Sequence, residues 1–306
     1  MKTTTSSRQR RFSGPPGFPP DNAASGALRP LLLFATLWSL RRYPSRTREW
    51  SWTRKFHAIR AAKFDGVFSP PFPGIAKRGG LKYLSVTSIG VGDDPMPAFS
   101  AAQKLGAMGM DVQICDYDTP VADALKVARK VGDVARAHAL PFAIETHRDT
   151  FTETPEATLA LANGYAAATG DALPLCLDHS HFALVRHLAP AQLWPRLKEP
   201  AALLAAATQF HLRPFNGHHC QVPALTPGGH RTPEYRDWLG YVDELFAHEC
   251  ARPTVEPLLV VVEIGHAEPA YRLSGFPDTW ADAVVVGADL RRAWNRVNRK
   301  GDMCCV

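Results

Sequence analysis

Four short apolar runs in this chain each deliver one side chain suited to binding a metal ion. PFAIETH puts Glu145 after Phe142–Ile144, PLCLDHSH puts Asp178 after Leu175–Leu177, ATQFHLRP puts His211 after Phe210, and PLLVVVEIGH puts Glu263 after Leu258–Val262. The last run is the clearest. Five apolar residues are too few for an ordinary helix, and three are β-branched, so they read as a strand buried on both faces. One acid at a strand end is commonly a loop residue. Four such residues in sequence order, spaced by whole strand–helix units, are hard to assign to chance.

The rest of the chain repeats the unit. Leu31–Trp38, Gly66–Phe72, Lys82–Gly90 and Asp111–Tyr117 read as the first four strands, and Phe142–His147, Leu175–Asp178, Thr208–His211 and Leu258–Ile264 as the second four. Helices are expected at Trp50–Lys63, Met96–Met108 and from Thr119 to about His138, the last with Leu125, Ala128, Val131 and Ala135 as its inner stripe. Thr154-Pro155-Glu156 and Thr232-Pro233-Glu234 each combine a capping hydroxyl, a proline at the first helical position and an acid in the first turn. Trp280–Trp294 supplies a closing helix. Eight strands alternating with helices point to a single-domain α/β fold, the (β/α)8 TIM barrel. A doubly wound sheet is the alternative. It would not naturally gather ligands from four consecutive strand ends.

Residues 1–28, rich in Ser, Pro, Gly and Arg, read as a disordered basic tail, 29–296 as the barrel and 297–306 as a C-terminal tail. The apolar run Leu31–Leu40 ends in Arg41-Arg42 rather than small residues, which favours a first strand over a secretion signal. No run approaches the roughly 20 apolar residues of a membrane span. The formal net charge of +6 sits in the ends of the chain. Lys2, Arg8, Arg10, Arg11 and Arg29 against Asp21 make the first thirty residues basic. Arg291, Arg292, Arg296, Arg299 and Lys300 against Asp302 do the same at the other end. The body between is slightly acidic, which removes the charge argument for a nucleic-acid partner. Six cysteines without a CxxC pair suit a reducing, cytoplasmic setting, with Cys115 and Cys176 read as small apolar strand residues.

Barrel enzymes carry their chemistry at the C-terminal ends of the strands, so Glu145, Asp178, His211 and Glu263 are expected to converge at one side of the mouth. Three carboxylates packed together need a cation, since like charges raise each other's pKa steeply. Three oxygens and one imidazole suit manganese, magnesium or cobalt, with zinc as the alternative.

Glu145, Asp178 with His181 three residues on (DHSH), His211 and Glu263 resemble the metal-site pattern of the xylose isomerase-like TIM-barrel superfamily. The resemblance covers roughly Leu31 to Trp294. The group includes sugar isomerases and epimerases, inosose and dehydroshikimate dehydratases, and endonuclease IV. It implies a metal-dependent isomerase or epimerase of a sugar or keto-polyol, with the metal stabilising an enediolate. By the same resemblance Glu145 and Glu263 are both ligands and proton-transfer groups, and His181 touches the substrate oxygen or the metal shell. A hydroxyl β to the carbonyl would turn the same chemistry into a dehydratase.

Two departures matter. Endonuclease IV has an Asp-x-His pair after the seventh strand, whereas this chain reads HLRPFNGHHCQVP; the nuclease reading falls behind. Ketohexose epimerases have a second glutamate shortly after the first and an arginine a few residues past the histidine. Here the stretches are ETHRDTF and Arg213, only two past His211, which counts against a ketohexose. A barrel that has lost catalysis is disfavoured because both proton-transfer carboxylates are present. His147, two past Glu145, Arg213 and Trp38 are the further substrate-contact candidates. The loop Arg213–Arg231, with His218-His219, is a candidate lid, and Gly228-Gly229 reads as a plain turn rather than a phosphate site. The expected partner is a small sugar or polyol, without nucleic acid or membrane; a homo-oligomer is left open.

Overall fold

Short runs of β-branched and aromatic residues, stopped by prolines, capping hydroxyls or carboxylates, build the inner wall of the molecule. The computed structural model describes residues 29–265 and 278–303. The expected tail at 1–28 lies outside them, as does part of that at 297–306. The strands are β1 (Leu31–Thr36), β2 (Gly66–Ser69), β3 (Lys82–Ile89), β4 (Gly109–Ile114), β5 (Phe142–Glu145), β6 (Leu175–Leu177), β7 (Ala207–Leu212) and β8 (Leu258–Val262). Each pairs in parallel with the next, and β1 closes on β8 from Leu31↔Leu258 to Ala35↔Val262. The helices between them are α1 (Trp52–Ala61), α2 (Met96–Lys104), α3 (Val121–Ala137), α4 (Pro155–Thr169), α5 (His179–Val185), α6 (Leu193–Leu197), α7 (Ala201–Ala205), α8 (Pro233–Cys250) and α9 (Thr279–Met303). This is the (β/α)8 barrel expected from the alternation, in a single domain.

The differences are at element ends. β1 stops at Thr36, where the threonine hydroxyl accepts from Trp38 N at 3.3 Å and opens a 3-10 turn, Leu37–Leu40. β2 stops at Ser69 because Pro70 and Pro71 have no N–H to extend the ladder. A 3-10 segment, Pro73–Arg78, replaces a helix after β2. The expected tip of β6, Asp178, instead caps α5 by accepting from Ser180 N at 2.9 Å. The inner stripe of α3 is completed by Val127 and Val134, while Leu125 is half-buried. α9 runs to Met303, past the expected end at Trp294.

The barrel interior is divided in two. Phe34 on β1, Phe68 on β2, Leu84 on β3 and Leu259 and Val261 on β8 form one buried apolar cluster. Asp111 on β4, Glu145 on β5, Cys176 on β6 and Gln209 and His211 on β7 fill the other side, all buried. Each fully buried Phe or Leu contributes about 1.5–3 kcal/mol of transfer free energy, which offsets part of the cost of the polar half.

The closest approach in the apolar half is at Gly66, where a Cβ would stand 2.4 Å from Phe34 Cε1 and 2.8 Å from the Lys82 carbonyl oxygen. The second neighbour is backbone and cannot rotate away. Gly66→Ala should therefore lower the unfolding free energy by about 1–3 kcal/mol, read from chemical denaturation. An unchanged midpoint would show that β1, β2 and β3 have slack there.

Candidate metal centre

Four donors reach one point from four consecutive barrel positions. Glu145 is the last residue of β5, Asp178 follows β6, His211 lies within β7 and Glu263 follows β8. All four are buried, and their candidate ligand atoms lie within 4.8 Å of one another. His211 Nδ1 is 3.0 Å from Glu145 Oε1 and 3.3 Å from Glu263 Oε2. Among the described residues these three atoms have no hydrogen bond of acceptable geometry. Buried polar atoms are seldom left so. The donor set fits a divalent ion: ligands about 2.0–2.4 Å from a common centre stand at most ~4.8 Å apart.

The surroundings set each group's charge. Burial would raise the Asp178 carboxyl, but Arg213 and His181 beside it hold it well below the usual carboxylate range. Asp178 Oδ2 is in very close contact with Arg213 Nη2 and 3.2 Å from His181 Nε2. Arg213 is fully buried, donates to Ser180 Oγ at 3.2 Å and lies 3.2 Å from Glu263 Oε2. Burial opposes ionisation of Glu263 too, yet Arg213 and His211 hold its pKa down. Glu145 goes the other way, raised by burial and then by the nearby Asp111. Burial disfavours the His211 imidazolium, but Cys176, Glu145, Glu263 and Asp111 together hold its pKa well above the ordinary histidine value.

The remaining expected residues divide. His181 is buried and its ring centroid lies 4.3 Å from that of half-buried His147. His147 Nδ1 lies 2.6 Å from the Arg148 carbonyl oxygen, which only accepts, so Nδ1 carries a proton and Nε2 is left as an acceptor. Trp38 stands beside the Glu263 segment: a Cβ on Gly265 would meet its ring at 2.3 Å. Trp50 and Trp52 pack instead against Tyr43 and Phe72. The segment after Arg213 is tied down by Gln221, which donates to Gly265 O at 2.7 Å and accepts from Gly265 N at 2.9 Å. Phe215, Cys220 and Val222 are buried under it, while His218 and His219 are exposed. Gly228-Gly229 form a turn, with Gly229 at φ 78 and Thr226 N donating to His230 O at 2.8 Å.

Four neighbouring residues were missed in the sequence. Gln113 Nε2 donates to Glu145 Oε2 at 2.8 Å, leaving Oε1 to face His211. Asp111 Oδ2 lies 2.9 Å from His211 Nε2, and Gln209 Nε2 donates to the same oxygen at 2.9 Å. Cys176, expected to act as a small apolar residue, has its sulfur grouped with Asp111 and His211. The signal was present: MDVQI and TQFH place polar residues two apart on one strand face.

Fold and donor set together define a (β/α)8 barrel with a buried acidic-imidazole cluster at its mouth. Solved structures with this fold include a D-tagatose 3-epimerase-like protein (14% identity, TM-score 0.55, covering 88% of this chain and 99% of that one). D-allulose 3-epimerase from Methylomonas sp. matches at 13% identity and TM-score 0.55, over 88% of this chain and 98% of its own. The protein assigned as 3-DHS dehydratase AsbF of Bacillus anthracis petrobactin synthesis matches at 12% identity and TM-score 0.53, over 84% and 98%. At such identities the likeness establishes the fold. No protein-family model and no curated protein matches the sequence.

Arg213 is the cation that the described residues themselves place among these carboxylates. Arg213→Met should destabilise the metal-free protein by about 3–5 kcal/mol, the cost of stripping one partner from a buried ion pair. Denaturant unfolding in chelator measures it. A loss no larger than the ~0–1 kcal/mol of a surface pair would mean that water reaches the carboxylates.

Proposed function

We propose that the protein is a divalent-metal-dependent isomerase or epimerase of a sugar or keto-polyol. The observation that carries the reading is the buried convergence of Glu145, Asp178, His211 and Glu263, in which facing atoms of Glu145, His211 and Glu263 make no hydrogen bond among the described residues. These four residues would hold manganese, magnesium or cobalt in preference to zinc, given three oxygens, one nitrogen and no thiolate among them. When bound, the ion supplies Lewis-acid polarisation of adjacent substrate oxygens, acidifying the carbon-bound proton between them.

This chain's own groups do the rest. Glu145 and Glu263 come from different strands, face each other across His211 Nδ1, and so address a substrate from two sides. One carboxylate takes the proton from carbon, and the other returns a proton to the opposite face. Arg213 and His181 hold Asp178 ionised and, with His147, line the polar side of the substrate space. Trp38 walls it beside Glu263. The buried setting keeps water from competing for the carbanionic carbon. We place the protein in the cytoplasm, in keeping with its free thiols at Cys115, Cys176, Cys220 and Cys250. Among the described residues no helix is long and apolar enough to cross a membrane.

The second reading, a dehydratase of a hydroxy-ketone, draws on the dehydratase among the solved structures that share the fold. It uses the same first proton transfer and then expels a β-hydroxyl as water.

Incubation of the manganese-loaded protein with keto-polyols and keto-acids in deuterium oxide separates the two. Deuterium at the carbon next to the carbonyl without loss of water supports isomerase or epimerase. An enone supports the dehydratase. Glu145→Gln and Glu263→Gln should each keep an oxygen for the metal yet lower turnover about 10²–10⁴-fold. Near-normal turnover in both variants with metal bound would remove the proton-transfer roles.

A further inference from the structure

Three arginines meet on the outer wall of the barrel, where α8 and α9 pack together. A groove of about 590 Å³ opens there, with His230, Arg231, Arg236 and Arg292 around it and Val284 and Val285 of α9 among its apolar lining. Among the described residues no acidic side chain lines it, and it shares no residue with the metal centre. Two of the arginines are held in place from below. Asp289, buried on α9, accepts from Arg231 Nη2 at 2.6 Å and from Arg292 Nη2 through one oxygen, and from the Tyr235 hydroxyl at 2.9 Å through the other. A guanidinium has five N–H donors. Only Nη2 of each is engaged among the described residues, and the two side chains stay 44% and 60% exposed. Arg236, in the first turn of α8, is exposed and has no ion pair or side-chain hydrogen bond among the described residues.

Three guanidiniums against the one carboxylate of Asp289 leave an excess of two positive charges before His230 is counted. Glu234 and Asp237 flank Arg236 in sequence, but residues one and two apart do not share a helix face, and neither lines the groove. The Gly228-Gly229 turn binds nothing itself. It reverses the chain so that Leu225 bridges Arg231, and so brings His230 and Arg231 to the groove. That wall is fixed to α9, because Asp282 accepts from Ala224 N and Leu225 N at 3.0 and 3.1 Å.

We infer that this groove is an accessory binding site for a phosphate monoester with an apolar body. A phosphate monoester carries about −1.5 to −2 charge at neutral pH, which matches the excess; a single carboxylate matches half of it. Guanidinium forks bind phosphate oxygens in pairs. Half-buried Val284 and Val285 offer apolar area beside that head, and the volume is that of a small-molecule site. The inference is independent of the metal centre and of the reaction proposed for it.

Calorimetric titration of the full chain in chelator, with phenyl phosphate, inorganic phosphate and benzoate as probes, tests it. Phenyl phosphate should bind once per chain and more tightly than either of the others. In Arg236→Gln its dissociation constant should rise about tenfold, and in Arg236→Glu further. Both variants should keep the wild-type denaturation midpoint, since Arg236 has no partner among the described residues to lose. Phenyl phosphate binding that ignores both substitutions lies elsewhere, such as the barrel mouth, and overturns the inference. So does the absence of binding. Inorganic phosphate binding as tightly as phenyl phosphate removes the apolar body, and benzoate binding as tightly removes the phosphate; either result overturns the assignment. Self-association in sedimentation, abolished by Arg236→Glu, would give the groove to a second copy of the chain and overturn it as well.

Discussion

The mouth of this barrel depends on how negative charge is balanced away from water. Glu145, Asp178 and Glu263 surround one imidazole, and Asp111 stands behind it. Two unit charges 4 Å apart interact by about 4 kcal/mol even at an effective dielectric of about 20, so four buried acids cannot all ionise unaided. Arg213 answers two of them, Asp178 and Glu263. Among the described residues Glu145 is paired with no arginine but lies 3.0 Å from His211 Nδ1, and its carboxyl is still pushed up, first by burial and then by Asp111. A divalent cation between Glu145, His211 and Glu263 would complete the balance and would occupy the point that their unsatisfied atoms already face.

The parallel barrel makes this arrangement affordable. Closing β1 on β8 removes every strand edge and leaves an interior in which alternate residues of all eight strands meet. Phe34, Phe68, Leu84, Leu259 and Val261 make one half of that interior apolar, so the polar residues of β4 to β7 are pressed together rather than dispersed. Support then runs inward from strand to strand: Ser88 Oγ lies 3.3 Å from Gln113 Oε1, Gln113 donates to Glu145, and Gln209 donates to Asp111. The candidate donor atoms are set by side chains whose own positions are fixed by the ladder beneath them.

The four candidate donors were legible because each follows an apolar run too short for a helix, and strand ends are where a barrel exposes chemistry. The supports were not, because they sit inside the runs. Asp111 falls between Met110 and Val112, and its inward direction depends on register: it pairs with Ala143, two residues before Glu145. Strand ends were misplaced for local reasons, such as the threonine turn that puts Trp38 off β1 and the prolines that cut β2 short at Ser69. The segment after Arg213 looked like a lid from its length. Its two hydrogen bonds between Gln221 and Gly265 join residues far apart in sequence, which no local pattern announces.

The central claim is that the four donors hold one divalent ion. Crystals of the protein grown with manganese, measured near the manganese absorption edge, test it most directly. The account predicts a single strong anomalous peak per chain within about 2.0–2.4 Å of Glu145, Asp178, His211 Nδ1 and Glu263. A peak elsewhere, or a manganese-saturated crystal with no peak among those four side chains, would contradict it.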